Sequence, residues 1–344
     1  MASGKTIIHI HVRDKKNKGD AAIVLAVQEA LRQRFPGCRL IDLPVECLKK
    51  YDARTLARIN SADLAVVGGG GIFYRYFLPF SLKMMAAIKT PIIIFGVGYI
   101  REIGARSLQK SEIAGIVALA RRAKLIGVRD YYTKTFLARN KIAPAKIEVI
   151  GDPAILLKEI KPESTGGLSS SRLKIGLNLN YSGWLGFGKW RDDILAAYRE
   201  TAEYFQKNFR AQIYYLKHHP GEDNIWPDLK IKNLKIVDWP PREQKYLYGR
   251  LDLVIGMMLH SAVLAFGALT PEINVAYDLR NRSFARFISC SELVVDLKEL
   301  KRGGLLKKAR SVLKKEAAYR RKFAAKVLKI KIKQAGFLNK ITLL

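Results

Sequence analysis

The sequence predicts an α/β fold of two Rossmann-like, doubly wound domains that face each other across a cleft. Short apolar runs alternate with helical segments through the first 160 of the 344 residues. This alternation is typical of a parallel sheet with helices on both faces. The same pattern restarts after residues 161–171, a stretch rich in Pro, Gly and Ser that indicates a linker.

Six strands are predicted in the first half. The first covers residues 6–12 and is rich in β-branched residues, and the others cover residues 39–43, 64–67, 91–98, 124–128 and 146–150. A helix is expected over residues 21–35, with Gly19 in the turn before it and Asp20 as its N-cap. The loop before this helix carries lysines and free amides that suit a phosphate, although a simple turn and cap need no ligand.

Four consecutive glycines, Gly68 to Gly71, directly follow the third predicted strand. Because glycine loses more backbone entropy on ordering than other residues, this run indicates a loop that approaches a ligand closely or adopts positive φ. A tight strand-to-helix turn is the alternative. The run does not match GxGxxG and no acidic residue is placed for a ribose, so a nicotinamide cofactor is not indicated.

The second half repeats the pattern without repeating the sequence. Strands are predicted at residues 173–179, 212–216, 234–237, 251–255, 273–276 and 293–295, with helices at 190–209 and 241–248. We therefore predict an N-terminal domain at 1–160, a linker at 161–171, a C-terminal domain at 172–300 and a basic helical segment at 301–344.

The last segment is basic and amphipathic. From residue 298 to the end, basic residues outnumber acidic ones 16 to 2, and apolar residues recur every three or four positions. We expect one helix that packs back across the cleft. The alternative is a basic helix that rests on anionic lipid.

The net charge of +31 predicts attraction to an anionic partner, such as a phosphorylated substrate, an acidic glycan, a membrane surface or nucleic acid. The three cysteines lack CxxC or His-paired spacing, so we expect neither a disulfide framework nor a metal site. No apolar run reaches the roughly 20 residues that span a bilayer, and no signal peptide is visible. A cytoplasmic protein is expected, with peripheral contact at the inner face of the membrane as an option.

Residues 254–278 combine a strand, a turn, a helix and a second strand, which is a βαβ unit. Ligands of open α/β sheets collect at the carboxyl ends of the strands, and His260 lies there, beside a helix N-terminus that favours anions. We predict that His260 is the central functional residue. A histidine that only packs or caps is the alternative.

With these segments in order, the chain resembles the polysaccharide pyruvyl transferase family. The matching segments are Asn17-Lys-Gly-Asp20, Gly68 to Gly71, Gly96-Val-Gly98, Arg129-Asp130, Asp152-Pro-Ala154, Met258-Leu-His260 and Tyr277-Asp278. The resemblance implies a fold like that of two-domain glycosyltransferases of the B type. It also implies transfer of the pyruvyl group of phosphoenolpyruvate onto two sugar hydroxyls as a cyclic ketal, in cell-surface polysaccharide biosynthesis. Phosphoenolpyruvate would be a co-substrate, and no cofactor is implied.

By this resemblance His260 is the catalytic acid and base, since one histidine with a pKa near neutrality can exchange protons in both directions. The expected substrate-binding residues are Asn17, Gly19, Asp20, Gly69, Gly70, Gly71, Arg129, Lys217, Met258, Leu259 and Arg280. Met258 departs from the family, which usually has an arginine there, and a thioether cannot bind a carboxylate or phosphate. Either another cation binds the donor (Arg129, Lys217, Arg280 or Arg282), or the donor differs, or activity is weak or lost.

Two alternatives remain open. The first is a B-fold glycosyltransferase with a nucleotide-sugar donor, in which Glu222, Asp223 or Glu272 contacts a ribose or donor sugar. The second is an anion- or nucleic-acid-binding protein without catalysis, which the charge suggests but no helix-turn-helix, zinc finger or RNA-binding motif supports. For the enzyme, the expected acceptor is a glycan or a lipid-linked sugar.

Overall fold

The computed structural model describes residues 4–14, 16–101, 105–164, 168, 172–180 and 187–341. Its first sheet contains β1 (Thr6–His11), β2 (Arg39–Pro44), β3 (Leu64–Phe73), β4 (Ile92–Tyr99), β5 (Ala123–Val128) and β6 (Ile147–Val149). These strands are parallel and lie in the order β2-β1-β3-β4-β5-β6. The connecting helices are α1 (Lys18–Arg34), α2 (Ala53–Asn60), α3 (Leu82–Ala87), α4 (Lys110–Arg122) and α5 (Tyr131–Arg139).

The second sheet is built in the same way from the other half of the chain. It contains β7 (Lys174–Asn178), β8 (Gln212–Leu216), β9 (Lys235–Val237), β10 (Leu253–Gly256), β11 (Glu272–Ala276) and β12 (Val294–Asp296). Its strands are parallel, in the order β12-β11-β10-β7-β8-β9. The helices of this half are α6 (Phe187–Phe209), α7 (Pro241–Tyr248), α8 (Leu259–Gly267), α9 (Leu279–Phe287), α10 (Gly304–Leu313) and α11 (Glu316–Asn339).

The predicted fold class, two doubly wound α/β sheets of six strands, is confirmed. In each sheet the strand order reverses once, between β1 and β3 in the first and between β7 and β10 in the second. Crevices at such reversals bind ligands in open α/β folds. The chain that follows β10, which contains His260, therefore starts at the reversal of the second sheet. The predicted linker, residues 161–171, includes 165–167 and 169–171, which lie outside the described residues.

Helix α1 begins earlier than the sequence suggests. It starts at Lys18, and its N-cap is Asn17, whose side chain accepts hydrogen bonds from the backbone amides of Gly19 and Asp20. The expectation that Asp20 caps this helix is wrong, because Asn17 occupies the position one turn earlier. The Asp20 carboxylate is consequently free to face the carboxyl end of the sheet.

The four glycines lie inside β3 and do not form a loop. The strand continues to Phe73, which pairs with Tyr99 of β4. Helix α1 packs so closely here that a Cβ on Gly69 would lie 1.9 Å from Ile23 Cγ2. Gly69 and Gly70 also have φ values of +74° and +78°, as the positive-φ interpretation predicts.

The basic terminal segment forms two helices, α10 and α11, where the sequence suggested one. Helix α11 spans both halves of the molecule. Its Phe323 ring lies 4.9 Å from Phe266 of the second half, and its Phe337 ring lies 5.9 Å from Phe95 of the first. The expected packing across the two halves is therefore observed. No helix within the described ranges combines the length and apolar character of a bilayer-crossing segment.

Candidate functional site

A cavity of about 500 Å³ lies between the carboxyl ends of the two sheets, and we call it the cleft. Both halves contribute to its walls. The lining residues from the first half include Asn17, Asp20, Gly71, Tyr74, Tyr76, Phe77 and Arg129. Those from the second half include Asn180, Met258, Leu259, His260, Tyr277 and Arg280. Its position at the strand-order reversals is the one that ligands occupy in this architecture.

His260 lies in the first turn of α8 and is buried between the two halves. Gly19 of α1 lies directly against its ring, since a Cβ there would be 2.1 Å from His260 Nδ1. Burial, and then the positive charge of Arg129, lowers the pKa of His260 well below its usual value. His260 is therefore neutral at physiological pH and is able to accept a proton.

Arg129 follows β5 and is almost fully buried beside two carboxylates. Its Nη1 lies 3.6 Å from Asp152 Oδ2 and its Nε lies 3.4 Å from Asp130 Oδ2. Gly98 makes room for the guanidinium, because a Cβ at that position would lie 2.4 Å from Arg129 Nη2. Asp152 Oδ2 is in turn 4.0 Å from His260 Nε2, so these groups form one cluster, the His260 cluster (His260, Asp152 and Arg129).

Each member of the His260 cluster has a buried polar atom without a hydrogen bond to the described protein: His260 Nε2, Asp152 Oδ2 and Arg129 Nη2. Leaving a buried polar atom unpaired costs about 1–3 kcal/mol. His260 and Arg129 line the cleft, so their two atoms indicate a place where a polar ligand completes the hydrogen bonding, while Asp152 lies behind them and pairs with Arg129. Arg129 Nη2 is the donor suited to a carboxylate or a phosphate.

Asp20 is a second titratable group in the wall of the cleft. Desolvation, and then repulsion from Asp14, raises the pKa of Asp20 to about 7. From the sequence, Asp20 was expected to cap the helix and to bind substrate, and not to donate a proton. The sequence does contain a signal for this role, since Asp20 is an acidic residue in the first turn of a helix that faces the carboxyl ends of the strands.

Met258 and Arg280 lie on the second half of the cleft. The Met258 backbone amide donates to Asn178 Oδ1 at 3.1 Å, which fixes the chain at the end of β10, and its thioether faces the cavity. Arg280 lies in the first turn of α9 and is paired with Asp278, whose Oδ2 lies 2.8 Å from Arg280 Nη2. The His260 cluster thus contains its own cation, Arg129, whereas the uncharged Met258 supplies none.

Several residues expected to bind substrate lie elsewhere. Lys217 Nζ is paired with Asp223 at 2.6 Å and with Asp238 at 3.1 Å, outside the walls of the cleft. Gly19 packs against His260, Gly69 packs against α1 and Gly70 lies behind Asp20, so Gly71 alone of the four expected glycines lines the cavity. Arg282, a further candidate cation, pairs with Asp296 at the surface.

The acidic residues considered for a nucleotide sugar do not face the cleft. Glu222 is buried, and its carboxylate accepts hydrogen bonds from the amides of His218 and His219 and from the Tyr215 hydroxyl. Glu272 is buried beside Ser261. Both carboxyl groups therefore lie in the interior of the second half, outside the walls of the cleft.

The Asn17-Lys-Gly-Asp20 segment joins the two halves. The Lys18 amide donates to the carbonyl of His218 at 2.9 Å, and Lys18 Nζ contacts Asp238 at 2.5 Å and Gln244 at 3.1 Å. Lys18 therefore binds the first half of the molecule to the second, while Asn17 and Asp20 line the cleft.

An aromatic wall that the sequence analysis did not identify faces the cavity. It consists of Tyr74, Tyr76 and Phe77, which follow β3, and of Tyr277, which follows β11. Apolar ring faces and hydroxyl groups together suit a sugar. The signal in the sequence was the run Phe73-Tyr-Arg-Tyr-Phe77, which begins two residues after the last glycine.

Comparison with known proteins places these features in a family. A sequence model described as polysaccharide pyruvyl transferase matches residues 17–278, which contain every residue of the cleft named above except Arg280. A comparison with curated protein sequences gives no significant match.

Many solved structures share the fold. A Listeria monocytogenes protein, proposed to be a UDP-N-acetylglucosamine 2-epimerase, is 14% identical, with a TM-score of 0.61 over 93% of this chain and 91% of its own. The Methanocaldococcus jannaschii UDP-GlcNAc 2-epimerase in complex with UDP-GlcNAc and UDP is also 14% identical, with a TM-score of 0.58 over 90% and 92%. A UDP-forming trehalose-phosphate synthase from Burkholderia vietnamiensis is 10% identical, with a TM-score of 0.54 over 98% and 99%. At these identities the likeness shows a B-type glycosyltransferase fold.

Proposed function

The chain belongs to the polysaccharide pyruvyl transferase family, and we propose that it transfers the pyruvyl group of phosphoenolpyruvate onto two hydroxyls of a sugar as a cyclic ketal. The observation that carries the proposal is the His260 cluster, in which His260 and Arg129 line the cleft and each has a buried polar atom without a hydrogen bond. Family and fold together support a transferase.

Donor binding is assigned to Arg129 and to the backbone amides at the start of α8. Phosphoenolpyruvate carries a carboxylate and a phosphate, and each accepts charge-assisted hydrogen bonds. Arg129 Nη2 is buried and unpaired, so it takes the role that an arginine at position 258 has in most of the family. The first turn of α8 adds free amides and the positive end of a helix. Arg280 adds positive charge, although Asp278 already binds part of its guanidinium.

The reaction requires two hydroxyl additions at C2 of phosphoenolpyruvate. The first sugar hydroxyl forms a C–O bond to C2 and loses its proton, while the methylene carbon gains a proton and becomes a methyl group. The second hydroxyl then forms its own C–O bond to C2, the C–O bond to phosphate breaks, and the second proton leaves with inorganic phosphate. Each proton transfer needs a positioned side chain.

Two groups of the cleft divide these transfers. His260 is neutral because of its lowered pKa, so it accepts the proton of the attacking hydroxyl. Asp20, with a pKa of about 7, is partly protonated at neutral pH and supplies the proton to the methylene carbon. Sites that separate the pKa values of two neighbouring groups in this way assign one as base and the other as acid.

The acceptor is a sugar that lies against the aromatic wall (Tyr74, Tyr76, Phe77 and Tyr277). The proposal includes an acceptor held at an anionic membrane. On the outer face of α11, Leu328 and Ile332 are 58% and 64% exposed, and exposed Lys329, Lys331 and Lys333 surround them. Exposed apolar side chains flanked by lysines favour an anionic lipid surface.

A test of membrane contact is sedimentation with vesicles of phosphatidylcholine that contain or lack phosphatidylglycerol. The full chain should sediment with the anionic vesicles, and the Leu328→Ser/Ile332→Ser double variant should remain in solution. Leu82→Ser is the matched control, since Leu82 is equally exposed on the other half of the molecule. Sedimentation of the double variant at the wild-type level would refute this part of the proposal.

The fold neighbours favour one alternative, a transferase with a nucleotide-sugar donor, because one of them is a complex with UDP-GlcNAc and UDP. Against it, Glu222 and Glu272 are buried and lie outside the walls of the cleft, so they are not placed to bind a ribose. Phosphate anchoring by Arg129 and α8 would serve a nucleotide diphosphate as well. The choice of donor is therefore the point to test.

The direct test incubates the protein with phosphoenolpyruvate and a panel of saccharides that carry adjacent or 4,6-related hydroxyls. We expect phosphate release that depends on the acceptor, and a product heavier by one pyruvate less one water. His260→Ala should give neither signal while retaining the wild-type circular dichroism spectrum. Phosphate release by His260→Ala at the wild-type rate would overturn the assignment.

A further inference from the structure

We propose that His9, His11 and Asp42 form a binding site for a divalent transition-metal ion of the zinc class. These residues lie behind the loop that follows β1 and are separate from the His260 cluster. His9 and His11 face the same side of β1, and Asp42 lies opposite His9 in the β1–β2 register. No metal was expected from the sequence, because it shows no cluster of metal ligands at a recognisable spacing. That expectation stays untested, and the inference does not depend on the proposed function.

The three potential ligand atoms converge. His11 Nε2 lies 3.4 Å and His9 Nδ1 lies 3.8 Å from Asp42 Oδ1, and all three atoms are within 4.8 Å of one another. Around a tetrahedral Zn²⁺ with bonds of 2.0–2.2 Å, ligand atoms lie roughly 3.3 Å apart. Small rotations of the side chains would therefore bring all three atoms into the first coordination sphere.

The second nitrogen of each histidine already has a partner. His9 Nε2 hydrogen-bonds to the Gly68 carbonyl at 3.3 Å, and His11 Nδ1 hydrogen-bonds to the Val12 carbonyl at 2.9 Å. A nitrogen that meets a carbonyl must carry the proton, so the lone pairs are on His9 Nδ1 and His11 Nε2. Metal-binding histidines are oriented in the same way, by donating the other ring N–H to a carbonyl or carboxylate.

These two lone pairs are buried and have no hydrogen bond to the described protein. Two lone pairs and a carboxylate oxygen that face one another within 5 Å repel unless a cation lies between them. The arrangement therefore fits a metal ion that prefers imidazole with one carboxylate. Gln28 Nε2 donates to Asp42 Oδ1 at 2.9 Å and holds the carboxylate in place. The partly exposed Asp42 side chain offers a path from solvent.

Binding there would fix β1 to β2 directly before residues 12–14, which line the cleft. Three protein ligands leave a fourth position for water. The expected effect is thus stabilisation of the first half of the molecule, with no step of the transfer assigned to the ion.

The test uses the chelator-treated full-length protein and Zn²⁺ alone, followed by calorimetry. We expect one equivalent to bind. His11→Asn and Asp42→Asn should each weaken binding by about 100-fold or more, since even second-sphere changes cost 10–100-fold. Asp42 is partly exposed, so Asp42→Asn keeps the test valid if the buried histidine variant fails to fold. His219→Asn is the matched control, because His219 lies outside the cluster, and it should bind as the wild type does.

Two further readouts separate this site from adventitious binding. Zn²⁺ should raise the melting temperature of the wild type but not that of Asp42→Asn. Co²⁺ should give the weak visible bands of nitrogen and oxygen ligands, without the intense ultraviolet absorption of a thiolate ligand such as Cys47. Absence of stoichiometric binding, equal binding by Asp42→Asn, or a thiolate spectrum would each overturn the proposal.

Discussion

Replacement of Gly19 by alanine tests whether the contact between α1 and His260 positions the catalytic ring. A Cβ at residue 19 would lie 2.1 Å from His260 Nδ1 and 2.3 Å from Cγ, whereas ordinary contacts begin at 3.4 Å. The ring must therefore move by more than 1 Å, or the two halves must separate. Displacement of a catalytic group by 1 Å costs about 100-fold in rate. Overpacking of a buried contact costs about 1–3 kcal/mol of stability.

The assay is the rate of phosphate release from phosphoenolpyruvate in the presence of an acceptor, together with the free energy of unfolding in urea. Gly19→Ala should lower kcat by about 100-fold and should destabilise the fold. Gly336→Ala is the matched control, because Gly336 lies within α11 and a Cβ there would meet nothing within 4 Å. It should leave kcat unchanged and stabilise the protein by about 0.5–1 kcal/mol, since alanine favours a helix interior. A Gly19→Ala protein with wild-type kcat would refute the reasoning.

Three further predictions concern the cleft. His260→Ala should lower kcat by at least about 100-fold, which is the loss expected for a positioned acid–base group, in a protein that keeps the wild-type circular dichroism spectrum; a tenfold loss or less would remove His260 from that role. Met258→Arg should tighten phosphoenolpyruvate binding by about 10–100-fold, as one charge-assisted contact of about 1.5–3 kcal/mol allows; an unchanged Kd by calorimetry would mean that the donor site is organised differently. Since the pKa of Asp20 is about 7, its carboxylate repels the anionic donor at higher pH, so Kd should rise by up to about tenfold per pH unit above 7. Asp20→Asn should remove this dependence, and a parallel pH profile for the two proteins would contradict the assignment.

The fold could be predicted because its strands are buried on both faces. Such strands appear as continuous apolar runs, which turns and helices punctuate clearly. The errors lie where tertiary packing overrides local preference. Glycines 68–71 disfavour a strand by propensity, yet β3 continues through them. The reason for a glycine at position 69 is tertiary, because α1 packs too closely there for any side chain. The start of α1 was misplaced because Asn17 and Asp20 are both good caps and only the structure shows which one is used.

The site was predictable only in part. Position at a strand end was enough to place His260 and Arg129 at the cleft, since topology brings carboxyl ends together. Lys217 also follows a strand, but its position at the strand end did not predict where its side chain lies. The Lys217 ammonium group pairs with Asp223 and Asp238, outside the walls of the cleft. The raised pKa of Asp20 depends on burial between two halves, and no local pattern encodes such burial.

The central claim is that the cleft binds phosphoenolpyruvate as its donor. The most direct measurement is the melting temperature of the purified protein with phosphoenolpyruvate, inorganic phosphate, and uridine, guanosine and cytidine diphosphates, at fixed ionic strength. Ligands that bind the folded state raise the melting temperature according to the ratio of their concentration to Kd. We predict a larger increase with phosphoenolpyruvate than with phosphate, and a loss of that difference in Arg129→Met. An increase with a single nucleotide and none with phosphoenolpyruvate would contradict the claim and would identify a nucleotide-sugar enzyme instead.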